Sequence, residues 1–370
     1  MKNVVFLCNK IFPINSGDSL YNYGLCNEFS KYCNLHVISF GKEYEDKIEN
    51  FDYRIFDFVT SKKNKFDETV IKYINAMNKT NEIDIIFLSH IDVMYYYKPL
   101  KKSLPHVKFI YISHNVEAIN KKQSLKREKS FGVFNKLKEI YKYERIKYYE
   151  KELLNCSNIY FTISTEDYKQ HLKLYHKIGK PIFCKPLISF ENCKSKERLT
   201  NYNKKLLIAG SMNWYPNVEG IKWFVNTVFS KIVSDGYILY LAGANPSSEL
   251  YELKNKYPKN IIITGLVDSM DEYFQKCDIS IIPLFSGTGA KIKVLESIGR
   301  GIPTICTSFA AKDYKITDEV IIADSADEFM RSIRQIEEDI TFRIMMNEKM
   351  KMYYDKYMNL SEDIINILKD

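Results

Sequence analysis

What this 370-residue sequence lacks narrows it first. No run approaches the roughly 18 apolar residues that a membrane-crossing helix needs. The opening "MKNVVFLCNKIFP" has too short an apolar core for a secretory leader and reads as a first strand, so a cytoplasmic location is expected. Eight cysteines are present (Cys8, Cys26, Cys33, Cys156, Cys184, Cys193, Cys277, Cys306), with no C-x-x-C and no Cys–His cluster. Several sit inside apolar runs such as "VVFLCN" and "TICTS" and read as reduced core residues. D-x-D, H-E-x-x-H and G-x-S-x-G are all absent. A metal-dependent or serine-nucleophile mechanism therefore has no support in the sequence, and no metal or other cofactor is expected.

Charge is present but uneven. The formal net charge is +8, and residues 120–151 alone hold eleven Lys/Arg against four Glu, a net +7. A local basic stripe suits an anionic partner, either a membrane surface or phosphorylated ligands. It suits a solvated helical face equally well.

Short apolar, β-branched runs recur between helical patterns. In the first half these are "NVVFLCN", "NLHVISF", "IDIIFLSH", "VKFIYISH" and "NIYFTIS". In the second they are "KLLIAG", "YILYLAG", "NIIITG", "DISIIPL", "IPTICTS" and "EVIIA". Continuous apolar runs of this length read as parallel strands buried on both faces, and the helices between them as βαβ crossovers. The fold class is α/β, with two Rossmann-like, doubly wound domains facing a central cleft. The polar stretch "ISFENCKSKERLTNYNKK" marks the break. It gives a first domain at 1–190, a linker at 191–204 and a second domain at 205–345. A helical segment, 346–370, ends the chain, and packing back onto the first domain is the expectation for it.

Ligands of open parallel sheets bind beyond the carboxyl ends of the strands, so the residues there are the candidates. Several second-half strands end in glycine: Gly210, Gly243 and Gly265. After "ISIIPL" comes Gly287-Thr288-Gly289, then Lys291, Lys293 and Glu296 on an expected helix from about Ala290 to Ile298. Helix amides, glycines and a lysine form an anion site. The spacing matches neither a Walker loop nor the dinucleotide fingerprint. Glu296 lies seven residues past Gly289, roughly 10 Å along a helix at about 1.5 Å per residue. That is the reach from a diphosphate to its ribose. An ion pair with Arg300 or Lys293 is the competing reading. Two first-half strands end in His90 and His114, and "HNVE" adds Glu117 within a turn of His114. His171 and His176, at i and i+5, read as surface residues.

With these residues in place the chain resembles the nucleotide-sugar-binding half of family-4 glycosyltransferases, enzymes of the GT-B fold. The resemblance runs through "AGSMNWYPNVEGIKWF", "LYLAGANP", "IIITGLVDSMDEYFQKCDISIIPL" and "GTGAKIKVLESIGRGIPTICTS", about Leu206 to Ser308. The first domain matches more loosely, through "ISHNVE" and "PINSGD". The resemblance implies metal-independent transfer of a sugar, with retention at the anomeric carbon, from a nucleotide diphosphate such as UDP. The acceptor would be the hydroxyl of a glycan, lipid-linked or protein molecule, in surface polysaccharide or glycoconjugate synthesis. It implies that Gly287, Thr288, Gly289 and Lys291 take the diphosphate, and that Lys293 belongs to the same signature. Glu296 would hold the ribose, while Leu266 and Val267 would cradle the base. Gly210 would line the donor site, with Asn213 or Trp214, and His114 would stand at the reacting centre. Gly17 and Asp18 would form a loop at the acceptor and donor phosphates.

Departures accompany the match. Thr288 stands where many members carry a second Glu, and Gly17-Asp18 stands where they carry Gly-Gly. The Arg/Lys pair that other members place after the first strand of the second domain is not evident. A carboxylate beside a donor phosphate is unfavourable unless it points away or binds acceptor hydroxyls, and the acceptor role is the expectation for Asp18. Two other functions fit the same architecture: a nucleotide-sugar 2-epimerase, and a non-catalytic nucleotide-sugar-binding partner of another transferase. In the helical pattern "NKLKEIYKYERIKYYEK", aromatic and basic residues alternate, which would suit peripheral docking on an anionic membrane through residues 120–151. No nucleic-acid partner is expected.

Overall fold

The structure is a computed structural model and describes residues 1–12, 17–41, 50–56, 66–127, 133–188, 199–287 and 289–369. Its apolar runs form two parallel sheets. The first contains β1 (Asn3–Cys8), β2 (Asn34–Phe40), β3 (Asp52–Phe56), β4 (Ile85–Ser89), β5 (Lys108–Ser113), β6 (Ile159–Thr162) and β7 (Lys180–Phe183), in the order β3-β2-β1-β4-β5-β6-β7. The second contains β8 (Lys205–Ala209), β9 (Ile238–Ala242), β10 (Ile261–Gly265), β11 (Ile279–Ile282), β12 (Thr304–Cys306) and β13 (Ile321–Ile322), in the order β10-β9-β8-β11-β12-β13. Each order reverses once, at β1/β4 and at β8/β11. Such a reversal splays the flanking crossovers and opens a crevice at the strand ends.

Helices cover both faces of each sheet, which is why the strands read as unbroken apolar runs. On β1, Val4 and Phe6 face one core while Val5 and Leu7 face the other. The first sheet carries α1 (Gly17–Phe29), α2 (Glu68–Thr80), α3 (Met94–Ser103), α4 (Glu117–Arg127), α5 (Val133–Leu154) and α6 (Thr165–Tyr175). The second carries α7 (Tyr215–Phe224), extended through a π turn at Val225–Phe229 and a last turn at Ser230–Ile232. It also carries α8 (Ser248–Lys256), α9 (Asp271–Lys276), α10 (Ile292–Gly299), α11 (Ser308–Ala311) and α12 (Ala326–Glu338).

The chain then crosses back. In α13 (Ile340–Tyr357), Met346 and Met350 sit in the second core. In α14 (Glu362–Lys369), Ile364 and Leu368 are buried in the first. Lys2 Nζ donates to the Ile367 carbonyl at 3.2 Å, and the Tyr354 hydroxyl donates to the Ile188 carbonyl.

Two strands, β3 and β7, were not anticipated from the sequence. Both are edge strands. Asp52 and Lys180 open them exposed, and neither strand contains a fully buried residue. Pro181 also interrupts β7, as an edge strand tolerates. The apolar-run criterion misses these two because charged and polar residues interrupt them, whereas the edge strands of the second sheet are apolar enough to be found. His171, expected at the surface, is instead fully buried on α6 against the rings of Tyr160 and Tyr175.

Candidate active site

The strand ends flanking the two reversals lie against each other. Gly289, after β11, packs onto the residues that follow β5: a Cβ there would stand 2.2 Å from Asn115 Oδ1 and 2.9 Å from the His114 carbonyl. Its φ of +72° also suits glycine alone. The Gly289 N–H donates to Asp167 Oδ1 at 3.2 Å, from the first turn of α6. A Cβ on Gly17, which opens α1, would lie 3.7 Å from Ile292 Cδ1 at the start of α10. The glycine turn of one sheet thus closes on the histidine end of the other. Thr288 lies outside the described residues, as do residues 13–16 of the early loop, 189–198 of the expected linker and 128–132 of the basic segment.

On the second-sheet side, close backbone approach shapes the floor. A Cβ at Gly243 would fall 1.9 Å from the Gly210 carbonyl, so β8 and β9 end in contact. Lys293 reaches back from α10 to this floor. Its Nζ would be 3.0 Å from a Cβ at Gly210, and it donates to Asn217 Oδ1 at 2.5 Å. Asn217 is itself fixed by donating from Nδ2 to the Ser211 carbonyl at 2.7 Å. The Trp214 ring lies 5.8 Å from the Lys293 ammonium. Burial brings the Lys293 pKa down to about 8, the nearby Glu296 carboxylate opposing that shift.

Lys291 behaves differently. It turns inward, donating to the Gly289 carbonyl at 2.5 Å, 3.6 Å from Asp313 and over the Phe309 ring. Its ammonium braces the turn from behind. Glu296 is half-buried, with Oε1 3.5 Å from Arg300 Nη1. Arg300 makes its shorter bond, 2.6 Å, to Asp271 and stacks on Phe274. The expected ion pair with Glu296 is therefore present but long. Asn213 is exposed and accepts from Ser211 Oγ at 2.8 Å. Leu266 is exposed and Val267 half-buried after β10.

On the first-sheet side the groups are ionisable. His114 is buried, with Nε2 2.8 Å from Ser89 Oγ, Nδ1 3.3 Å from Asp18 Oδ1, and its ring edge-on to Tyr21. Burial lowers the imidazole pKa, and the Asp18 carboxylate only partly offsets this. Asp18 itself is brought down to about 2, because contact with His114 outweighs its own partial burial. His90, whose ring centroid is 5.3 Å from that of His114, sits between Asp92 (3.3 Å) and Glu117 (3.6 Å). Burial works against its charge, but these two carboxylates override it and raise its pKa well above the ordinary value.

Three groups that matter here escaped sequence reasoning. Glu150, fully buried on α5, accepts from the Glu117 and Ala118 amides at 2.6 and 3.3 Å and from the Tyr175 hydroxyl at 2.5 Å. Its carboxylate caps the start of α4, where anions are favoured, and so fixes the His114–Glu117 turn. Asp167 is the carboxylate on Gly289, and burial raises its pKa. Asn217, half of the "PN" pair, holds Lys293. A local signal existed for Asn217 alone. Glu150 and Asp167 act through contacts 32 and 122 residues away in sequence.

Among the described residues, no group of three or more His, Cys, Asp or Glu side chains is arranged to hold a metal ion.

Comparison with known proteins agrees with this geometry. Residues 203–339 match the family model of Glycosyl transferases group 1. No curated protein sequence matches the chain. Among solved structures, the chain is similar to sucrose-phosphate synthase from Thermosynechococcus elongatus, at 12% identity and a TM-score of 0.69, covering 99% of this chain and 97% of that one. It is similar to WaaG, a glycosyltransferase involved in lipopolysaccharide biosynthesis, at 14% identity and a TM-score of 0.67, covering 99% of each chain. It is also similar to Anabaena Alr3699/HepE in complex with UDP, at 11% identity and a TM-score of 0.65, covering 100% and 97%. The two-sheet architecture is that of the GT-B fold.

Proposed function

We propose, from the premise that this chain is a GT-B glycosyltransferase with a group 1 domain at residues 203–339, that it transfers a sugar from a nucleoside-diphosphate donor to a hydroxyl with retention. The observation that carries the reading is the closure of Gly289 onto the His114–Asn115 end of β5. It sets a glycine of the second sheet against ionisable side chains of the first across one crevice. The UDP bound to the Anabaena protein supports a uridine nucleotide here.

In this reading the diphosphate lies at Gly287–Gly289, within reach of Lys293. Glu296 takes the ribose hydroxyls, and Leu266 with Val267 flank the base. The bond from the anomeric carbon to the leaving phosphate oxygen breaks as the acceptor oxygen bonds on the same face. The acceptor proton passes to that phosphate, and nucleoside diphosphate leaves. Lys293 neutralises charge developing on the phosphate in a partly dehydrated site. His114 contacts the sugar from the opposite sheet. The β-phosphate acts as base, so no carboxylate pair of the glycosidase kind is needed. Incubation with a panel of nucleoside-diphosphate sugars and hydroxyl acceptors tests this. Release of nucleoside diphosphate together with an α-linked product from an α-linked donor is expected. An inverted product, or an epimerised donor with no nucleotide released, overturns it.

The acceptor side also carries the reading of peripheral membrane docking in glycan synthesis. No helix among the described residues is long and apolar enough to cross a membrane. On α5, Phe134, Leu137, Tyr141 and Tyr148 are 83%, 61%, 64% and 51% exposed and fall within one narrow arc of the helix. Exposed Lys136 and Lys138 lie beside them. Apolar side chains among lysines fit the surface of an anionic bilayer. Sedimentation with phosphatidylglycerol vesicles is expected for the chain and not for a Phe134→Ser/Leu137→Ser variant. Equal recovery with neutral vesicles contradicts it.

A further inference from the structure

The first domain holds a groove of about 630 Å³ outside the crevice, bounded by α4, α5 and α6. That volume lies within the range of about 300–1,000 Å³ usual for small-molecule pockets, so it suits one molecule rather than a membrane face. Both α4 and α6 begin at the crevice. Glu117 opens α4 beside His90, and Asp167 in the first turn of α6 holds Gly289. The groove runs outward from there. On α6 its wall extends from Glu166 to Leu174, roughly 12 Å of helix at about 1.5 Å per residue.

The floor of the groove is apolar, with Ala118 and Ile119 from α4, Tyr143 from α5 and Leu174 from α6. Tyr143 lies about 180° around α5 from Phe134. One side of that helix therefore exposes its apolar arc, and the other walls the groove. Over the floor stand Lys122, Lys169 and Lys173, all exposed. None of the three has an ion-pair or hydrogen-bond partner among the described residues. One carboxylate, Glu166, lines the groove with them, and it accepts from Gln170 Nε2 at 3.4 Å. Gln170 Oε1 is buried without a partner, which leaves one acceptor for a hydroxyl.

Unpaired ammonium groups on long carbon stems, set around a carbon floor, match a ligand with an anionic head and a hydrocarbon body. A free phosphate would leave the floor wet, and an uncharged chain would leave the lysines unused. We propose that the groove binds a phosphorylated single-chain lipid, its chain on the Ile119 and Leu174 floor and its phosphate under Lys122, Lys169 and Lys173. Resting on the transferase reading, this lipid is the carrier that presents the acceptor hydroxyl to the crevice.

The probe is decyl phosphate below its micelle concentration, titrated calorimetrically into the full chain with no donor present. Saturable binding at one site per chain is expected. Inorganic phosphate, which lacks the chain, is expected to bind at least about 100-fold more weakly, and decyl maltoside, which lacks the charge, at least about tenfold. Lys169→Glu/Lys173→Glu is expected to weaken decyl phosphate about tenfold or more. Lys136→Glu/Lys138→Glu makes the same charge change outside the groove and is expected to leave the affinity unchanged. No saturable binding, equal binding of inorganic phosphate, or equal loss in both variants overturns the site. Dihexanoylphosphatidylglycerol tests the bilayer as the source of the ligand. Binding as tight as that of decyl phosphate makes the groove a phospholipid site and overturns the proposal. In turnover, alkyl-phosphate-linked hexosides are expected to show a KM at least about tenfold below that of matching methyl hexosides, and equal values overturn the carrier role. The titration needs no turnover. A chain that binds decyl phosphate but releases no nucleotide from any donor refutes the transferase reading, and the carrier role with it, while the lipid site stands. A chain that turns over but binds no decyl phosphate refutes the groove alone.

Discussion

The two sheets contribute opposite kinds of surface to one crevice. The second supplies backbone: Gly210, Gly243, Gly287 and Gly289, with one ammonium, Lys293, laid across the glycine floor. The first supplies side chains: Asp18, His90, His114 and Glu117, each paired to another within 3.6 Å. A backbone floor suits a ligand recognised by shape and phosphate charge, because amides accommodate any nucleotide with that geometry. A floor of paired ionisable groups suits a ligand recognised by its hydroxyls. On the proposed function, the donor lies against the second sheet and the acceptor against the first.

The strongest way to break this comparison is to remove the contact between the two surfaces. Gly289→Val adds a Cβ 2.2 Å from Asn115 Oδ1 in a backbone conformation valine avoids. The crevice must open, and turnover is expected to fall by about 100-fold or more, the scale of a 1 Å misplacement. Nucleotide release at saturating donor measures it, with a melting curve to confirm folding.

Glu150→Gln breaks the first surface from beneath. Its volume is conserved, but one oxygen that accepts from the Ala118 amide and the Tyr175 hydroxyl becomes a donor or must rotate away. A stability loss of about 2–3 kcal/mol is expected from urea unfolding, the scale of hydrogen bonds to a charged group left unmade.

Lys293 sharpens the comparison through pH. Burial brings its pKa in the folded chain down to about 8, from the 10.5 of an ordinary lysine. In the free protein the unfolded chain binds the proton more tightly, so this group's contribution to stability rises with pH between about 8 and 10.5. Donor affinity moves the other way, falling as pH rises through about 8 and the ammonium is lost. Lys293→Met is therefore expected to raise the melting temperature at neutral pH while weakening nucleoside-diphosphate binding about tenfold or more. Calorimetric titration across that range would show the pH step in the native chain and its absence in the variant.

How much was legible in the sequence divides along the same line. All six strands of the second sheet appear as continuous apolar runs, the four inner ones because they are covered on both faces and the two edge strands because their own residues are apolar, and its glycine turns are local features. The first sheet was read less completely. β3 and β7 are edge strands without an unbroken apolar run, and the site is assembled across long separations. Asp18 meets His114 from 96 residues away, and Asp167 meets Gly289 from 122. Glu150 and His171 looked like members of solvated helical faces, because nothing in their immediate neighbours marks burial. Helical spacing shows which residues share a face, not what that face packs against.

The claim that each sheet serves its own substrate is tested most directly by measuring donor affinity and turnover together in Glu296→Ala and His114→Ala. The expected result is a split: Glu296→Ala loses nucleoside-diphosphate-sugar binding, while His114→Ala binds the nucleotide near normally and loses turnover. Equal binding and turnover in both variants and the native chain would contradict the account.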